Sequence, residues 1–230
     1  MTIEALHAEL LANQDPAFAA FATKLGAPTP TRPYLGVRTP ILRKLAKRIV
    51  RQEAPEAFIQ RLPHRYADEY LLRALLINEI KEPAALIVAI NAYLPLVDTW
   101  GNCDALNPTL FKRHSAPCLE NIPLWLRNPH SYAQRFGVVM LLRHFAKDGF
   151  SEEHLSWLAE LPPAQEVDVA VAWYLAEALV CHPKEVLSAI EEPTFSPAIR
   201  LAAIQKARDS RRILPDMKAQ LAALRKGIRG

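Results

Sequence analysis

The chain has 230 residues, of which 50% are hydrophobic and 23% are charged, and its formal net charge is +4. This apolar content suffices for a packed core and excludes an intrinsically disordered protein. Only seven residues are glycine but nineteen are proline, which is a poor supply of glycine for the turns of a β-sandwich or a doubly wound sheet. The composition therefore favours many helices with prolines at their ends.

The N-terminal residues, MTIEALHAELLANQ, predict a first amphipathic helix, because acids stand where a signal peptide needs basic residues. No apolar run approaches the roughly 18 residues of a membrane-spanning helix. The three cysteines, Cys103, Cys118 and Cys181, are too few and too widely spaced for a disulfide framework or a zinc knuckle. This pattern predicts a protein of the reducing cytoplasm.

Apolar residues recur with helical spacing along nearly the whole chain, and strand-like alternation is almost absent. Prolines divide these segments, since an X-Pro step disfavours helix before the proline and favours a helix start at it. The steps are Asp15-Pro16, Thr39-Pro40, Ala54-Pro55, Glu82-Pro83, Ala116-Pro117, Asn128-Pro129, Pro162-Pro163, His182-Pro183, Ser196-Pro197 and Leu214-Pro215. They predict about a dozen helices of roughly ten to eighteen residues.

The predicted helices carry no exact repeat. Paired helices with short connections at a period of roughly 35–45 residues are nevertheless typical of a degenerate HEAT-like α-solenoid. A globular helical bundle is the alternative. The longest candidate loop, 27–38, is neither long nor polar enough to separate two domains. We therefore predict one all-α, HEAT-like domain over residues 1–230, with a concave basic face.

Basic residues concentrate in two segments of the chain. Residues 32–51 contain seven basic residues and no acid, and residues 196–230 contain nine basic residues and two acids, so the remainder is net acidic. Two basic segments on an acidic chain indicate a polyanionic partner. The alternative is that both are ordinary solvated faces. In the helix predicted at 40–51, the basic residues lie opposite Leu42, Leu45 and Ile49.

Several common catalytic patterns are absent from the sequence. It has no glycine-rich phosphate loop, no HExxH, no GxSxG and no paired Cys/His spacing. The seven histidines are scattered. We therefore expect no metal, no cofactor and no nucleophilic hydrolysis.

The segment from Asp98 to Asp104 carries the clearest site pattern. If a helix begins at Asp98 as N-cap, Trp100 and Asp104 lie four residues apart on one face. An aromatic ring beside a carboxylate is a site for a cationic group. The alternative is a partly buried tryptophan beside a capping acid.

Five stretches, taken in order, resemble the HEAT-like bacterial DNA alkylation-repair glycosylases, the AlkD-like family. They are residues 34–40 (YLGVRTP), 98–104 (DTWGNCD), 134–142 (QRFGVVMLL), 169–179 (VAVAWYLAEAL), and 203–208 (AIQKAR) followed by 210–212 (SRR). Together they span residues 34–212. The resemblance implies an α-solenoid that binds duplex DNA in its concave basic face.

The activity that the resemblance implies is removal of N3- or N7-alkylated purines from duplex DNA, without a metal or cofactor. The family pattern is an aromatic residue, an aspartate four residues on, and a second aromatic on a later helix. Trp100, Asp104 and Trp173 match it, although core packing is the alternative for Trp173. Arg135 matches a basic residue that contacts the DNA backbone. Further phosphate contacts are predicted at Lys44, Lys47, Arg48, Arg211 and Arg212. We expect a nucleoid-associated cytoplasmic monomer.

The chain departs from the family pattern one helical turn after the second tryptophan. Members with demonstrated excision have an arginine there, and this chain has Ala176-Glu177, as in a subgroup that ends in Trp-x-Leu-Ala-x-Ala-Leu. Two alternatives to an excising enzyme therefore stay open. One is a non-catalytic relative that recognises damaged or branched DNA. The other is a HEAT protein-interaction scaffold whose basic faces are incidental.

Overall fold

The computed structural model describes residues 3–25, 32–52, 58–59 and 64–229. Within these residues all regular structure is helical, and no strand occurs. The predicted all-α class is confirmed. The predicted break at Ala54-Pro55 and residues 27–31 of the predicted loop lie outside the described residues.

The chain divides into two compact units, residues 1–117 and residues 118–230. The helices of the first unit are α1 (Ile3–Ala12), α2 (Pro16–Leu25), α3 (Thr39–Gln52), α4 (Ala67–Ile77), α5 (Pro83–Tyr93) and α6 (Trp100–Ala105). Those of the second are α7 (Ala116–Leu126), which begins just before the boundary, α8 (Ser131–His144), α9 (Glu152–Ala159), α10 (Gln165–Ala178), α11 (Pro183–Glu191), α12 (Pro197–Asp209) and α13 (Pro215–Arg229). Short 3-10 helices cover Leu94–Leu96 and Thr109–Lys112. That the two units form a single domain stays a prediction.

Proline starts many of these helices, as predicted: it is the first residue of α2, α5, α11, α12 and α13. The fixed φ of proline suits the first turn, and the missing N–H is one that a helix start leaves unpaired. The described residues contain thirteen α-helices. The predicted lengths are wrong for three of them, since α6 has six residues, α9 eight and α11 nine.

The first unit is built around α4, which packs against α3, α5 and α6. Every residue of α4 except Leu71 is buried, and its two carboxylates, Asp68 and Glu69, are bonded to other parts of the chain. Glu69 accepts hydrogen bonds from the backbone N–H groups of Arg65 and Tyr66 at 2.9 and 2.8 Å. It also contacts His7 Nε2 at 2.6 Å. These bonds close the first turn of α4 and connect it to α1.

The other buried carboxylate of α4, that of Asp68, fixes the extended segment 33–38. The backbone N–H groups of Leu35 and Val37 donate to its two carboxylate oxygens, each at 2.7 Å. The side chain is only 3% exposed. Burial raises the pKa of Asp68, although the backbone donors act to lower it. The carboxylate therefore serves as the connection between segment 33–38 and α4.

Gly36 allows this segment to approach α2 closely. Its φ is +80°, in the left-handed region that favours glycine. A Cβ at this position would lie 2.2 Å from the backbone oxygen of Asp15 and 2.6 Å from the backbone nitrogen of Ala19. Asp15 in turn donates its N–H to the Leu35 carbonyl at 3.0 Å. Segment 33–38 is thus bonded to α2 on one side and to α4 on the other.

The second unit is built around α10, which packs against α8, α11 and α12. The last of these packs against α13. A layer formed by every second helix, here α8, α10 and α12, is the packing of HEAT-like solenoids. It confirms the predicted solenoid type of packing.

Helix α3 has the predicted apolar face and the predicted basic face. Leu42, Leu45 and Ile49 are buried, while Lys44 and Lys47 are exposed. The amphipathic pattern alone placed this helix correctly.

We expect Gly36→Ala to lower the free energy of unfolding by at least about 2 kcal/mol, because alanine is strained at positive φ and its methyl group would meet backbone atoms. Gly227→Ala is the matched control. Gly227 lies in α13 with no atom within 4 Å of its added Cβ, so this change should stabilise the protein by about 0.5–1 kcal/mol. Chemical denaturation of both variants measures the difference, and equal effects would contradict the assignment.

Candidate functional site

A cavity of about 470 Å³ in the first unit is lined by both Trp100 and Asp104. Its walls come from α2, from the segment leading into α3, from α4 and from α6. Three further aromatic residues, Phe18, Phe21 and Tyr34, also line it. The structure thus brings the predicted tryptophan and aspartate together and surrounds them with aromatic rings.

The helix that carries this pair begins one residue later than predicted. Thr99, not Asp98, is the N-cap of α6, and its Oγ1 accepts a hydrogen bond from the Asn102 N–H. The Asp98 carboxylate accepts one from Arg32 Nη1 at 2.6 Å instead. The predicted cap is wrong because a distant arginine engages the aspartate, which local sequence cannot reveal.

Six residues are too few for a helix to form alone, so neighbouring side chains must stabilise α6. The buried Tyr93 hydroxyl lies 3.0 Å from the carbonyl oxygen of Tyr70 in α4 and 3.3 Å from that of Asn102 in α6. Asn78, just after α4, donates from Nδ2 to the Ala105 carbonyl at 2.8 Å. These bonds fix both ends of α6 and therefore the positions of Trp100 and Asp104.

Two carboxylates line the described walls of the cavity, and their roles differ. Both oxygens of Asp68 already accept backbone hydrogen bonds, which makes that residue structural. Asp104 is half-buried on α6. It lines the cavity from the same helix as Trp100.

The aromatic walls combine a buried part and an open part. Phe18 and Phe21 stack with ring centroids 6.1 Å apart, and Phe21 is 54% exposed. The Arg38 guanidinium lies 4.1 Å from the centre of the Phe18 ring. Tyr34 is half-buried. Burial raises the pKa of its hydroxyl, although the Thr99 side chain acts to lower it, so the hydroxyl keeps its proton.

Sequence reasoning missed four of these residues: Phe18, Phe21, Tyr34 and Asp68. Tyr34 stands in the first of the resembling stretches, and the two phenylalanines stand three residues apart in a predicted helix. These are weak signals that became informative only with the fold. Asp68 had none, because its partners are more than thirty residues away in sequence.

The predicted second aromatic, Trp173, lies half-buried on α10 in the second unit. Two cations adjoin its ring. The Arg135 guanidinium carbon is 5.3 Å and the Lys206 ammonium nitrogen 5.1 Å from it. Such distances are those of cation–π contacts, so the indole already interacts with positive charge.

Arg135 has a different environment from the one predicted. Its side chain is 0% exposed, and Nη1 donates to the Glu166 backbone oxygen at 2.6 Å. With the guanidinium enclosed beside Trp173, it is not open to a DNA phosphate in this structure. The structure instead makes it a packing partner of the indole. An arginine buried by tertiary contacts has the same sequence appearance as an exposed one.

The remaining predicted phosphate contacts fall into two groups. Lys44, Lys47 and Arg211 are exposed. Arg48 forms an ion pair with Glu9, and Arg212 forms one with Glu177. These last two cations are accessible but are already engaged by carboxylates.

The Glu177–Arg212 pair lies one helical turn beyond Trp173. Both guanidinium Nη atoms of Arg212 bond to the two oxygens of Glu177. These bonds hold the pKa of Glu177 below its usual value. Arg212, from the 210–214 loop, is thereby fixed beside Glu177, at the turn where the family pattern has an arginine and this chain has Ala176-Glu177.

No described helix combines the length and apolar character needed to cross a membrane. Within the same residues, His, Cys, Asp and Glu side chains form no group of three that could hold a metal ion. Cys103 and Cys118 are buried, and burial raises the pKa of the Cys118 thiol.

The described residues form an all-α structure with solenoid-like packing, and one of its cavities holds Trp100 and Asp104. The family model described as "DNA alkylation repair enzyme" matches residues 6–213 of the chain. The protein therefore belongs to the DNA alkylation repair enzyme family, and the predicted family is confirmed. Comparison with curated proteins finds no match.

The burial of Arg135 gives a stability prediction. Arg135→Ala should lower the free energy of unfolding by about 2–5 kcal/mol, because it removes a buried, hydrogen-bonded side chain. Arg211→Ala, at an exposed position, should change it by no more than about 0.5 kcal/mol. Urea denaturation of the two variants measures both free energies of unfolding. A small effect of Arg135→Ala would contradict the buried position of Arg135.

Proposed function

We propose that this protein binds duplex DNA and excises N3- or N7-alkylated purines by hydrolysing their N-glycosidic bond without a metal. The observation that carries the proposal is the placement of Trp100 and Asp104 in one aromatic cavity. Family membership supports DNA as the substrate. The exposed cations of the two basic segments support binding to its phosphates.

The chemistry of the lesion sets what the protein must supply. Alkylation at N3 or N7 makes the purine a cation, so the electron pair of the C1′–N bond neutralises the base as that bond breaks. Positive charge then develops on the sugar as an oxocarbenium ion. Because the leaving group is already activated, no general acid is required to protonate it. Water adds to C1′ and loses a proton, which completes the hydrolysis.

Asp104 is the group we assign to the developing charge. A carboxylate near C1′ stabilises an oxocarbenium ion electrostatically and can orient the attacking water. Asp104 lines the cavity from the same helix as Trp100 and matches the aspartate of the family pattern. It is therefore our candidate for this role.

Trp100 is proposed to flank the cationic lesion. An indole face attracts a cation by about 0.5–2 kcal/mol. Trp100 lies in the same cavity as Asp104. For Trp173 we propose the role of second aromatic, with Arg135 as a positioning residue that fixes its ring through the contact at 5.3 Å.

Arg212 supplies a candidate for the arginine that excising members have after the second tryptophan. Its bidentate pair with Glu177 fixes the guanidinium one turn from Trp173. Bidentate geometry orients an arginine well for phosphate or carboxylate recognition. We propose that Arg212, once a phosphate displaces Glu177, takes the place of the missing arginine, which favours excision over the non-catalytic alternative.

DNA binding through α3 has a salt-dependence test. If Lys44 and Lys47 each neutralise one phosphate, Lys44→Gln/Lys47→Gln should reduce the slope of log K against log salt by about 1.8. Lys147→Gln/Lys184→Gln is the matched control, because both lysines are exposed and lie outside the basic segments. Fluorescence titration of labelled duplex at several salt concentrations gives the slopes. The same slope in both double variants would remove α3 from the DNA-binding surface.

The catalytic assignment is tested by Asp104→Asn, which keeps the side-chain shape and removes the charge. Loss of one group aimed at developing charge costs about 2.7–4 kcal/mol, or roughly 10²–10³ in rate. The measurement is single-turnover release of 7-methylguanine from methylated duplex at equal fold content. Asp148→Asn, at a highly exposed residue, should release base at the wild-type rate.

Three results would change the conclusion. An Asp104→Asn rate equal to wild type would retain the enzyme but reject the role of Asp104. No release above background by the wild type, with salt-dependent duplex binding intact, would identify the non-catalytic relative. Absence of both base release and salt-dependent duplex binding would favour the protein-interaction scaffold.

A further inference from the structure

We infer that the second unit contains a separate binding site for one unstacked nucleobase that carries an exocyclic amino group. The site is a cavity of about 330 Å³ formed by the end of α7, the start of α8 and the end of α9. All its lining residues belong to the second unit. None of them has a role in the proposed excision, so this inference goes beyond that function.

The walls of this second cavity suit a flat ring. Trp157 provides a half-buried indole, and Pro123, Pro129 and Pro162 provide rigid apolar rings. The Trp157 ring packs against buried His154 with centroids 5.3 Å apart, which restrains its orientation. Every nucleobase has a π-face that can stack on such an indole. The volume is near the lower end of small-molecule sites, and it fits a nucleoside rather than a peptide segment.

Gln134 determines which edge of a base the cavity prefers. Its side chain lines the cavity and is only 4% exposed. Nε2 donates to the Asn128 carbonyl at 2.8 Å, whereas Oε1 is buried and has no hydrogen-bond donor among the described residues. Leaving a buried acceptor unpaired is unfavourable. Because Oε1 is the polar atom of Gln134 that has no partner among the described residues, the side chain favours a ligand that presents an amino N–H.

The rim of the cavity provides charge for the rest of a nucleotide. Arg127 and Glu160 both line the opening and are exposed. A guanidinium pairs favourably with a phosphate, and a carboxylate accepts hydrogen bonds from sugar hydroxyls. A nucleobase attached to sugar and phosphate therefore matches both the interior and the rim. The base can come from a free nucleotide or from an unpaired position in DNA.

The first experiment titrates the full-length protein with two ligands by isothermal calorimetry. One is adenosine 5′-monophosphate, and the other is purine riboside 5′-monophosphate, which lacks the amino group. We expect the second to bind about two- to tenfold more weakly, the effect of one lost hydrogen bond. No binding of adenosine 5′-monophosphate at millimolar concentration would overturn the proposal, and so would equal affinity for the two ligands.

Variants then locate the binding in this cavity. Trp157→Leu should weaken adenosine 5′-monophosphate binding by about 5- to 150-fold, as loss of base stacking does. The control is Trp100→Leu, which removes the indole of the other cavity and should leave this affinity unchanged. If Trp157→Leu fails to fold, Arg127→Gln at the exposed rim should still weaken the monophosphate but not adenosine. Loss of binding in Trp100→Leu alone would overturn the assignment.

A third measurement distinguishes the two sources of the base. Wild type and Trp157→Leu are compared for their preference for a duplex with one unpaired adenine over the fully paired duplex. A preference that Trp157→Leu abolishes identifies the DNA base as ligand. With nucleotide binding intact in the wild type, absence of any preference identifies the free nucleotide. None of these readouts depends on base excision, so failure here and failure of the proposed glycosylase activity are distinguishable.

Discussion

The hydrogen bonds from two backbone N–H groups to the buried carboxylate of Asp68 are the interaction on which the first unit depends. They fix segment 33–38 between α2 and α4. That segment contributes Tyr34 and Val37 to the cavity, and α4 positions α6 through Asn78 and Tyr93. Without this connection, nothing would hold the aromatic rings of α2 and segment 33–38 beside Asp104. The cavity is thus a product of long-range bonds rather than of local helix formation.

The helical architecture could be read from the sequence because its determinants are local. Proline acts on the residue before it and on its own turn, so the starts of α2, α5, α11, α12 and α13 were predictable. The two faces of α3 follow from spacing alone. Helix lengths were less predictable, since α6 depends on distant side chains for its stability.

The site was predictable only in part, for the same physical reason. Four-residue spacing placed Trp100 and Asp104 together, because that relation lies within one helix. The environment of Arg135 is set by Glu166 and Trp173 on another helix, and a basic residue has the same letter whether it is buried or exposed. The phenylalanines of α2 and the carboxylate of Asp68 likewise reach the cavity through tertiary contacts. Contacts within one helix can be predicted from a sequence, whereas contacts between segments that are distant in the chain cannot.

The ion pairs of Arg48 with Glu9 and of Arg212 with Glu177 have a consequence for polyanion binding. Each carboxylate acts as an internal counterion, so a phosphate that takes the guanidinium must displace a protein group rather than a dissolved anion. The exchange still releases the cation condensed on the phosphate, but the displaced carboxylate loses its partner, so each such contact adds less affinity than one made by an unpaired arginine. Weakly charged ligands would be poor competitors for these arginines. A phosphate must therefore compete with Glu9 for Arg48 and with Glu177 for Arg212, and closely spaced phosphates compete best.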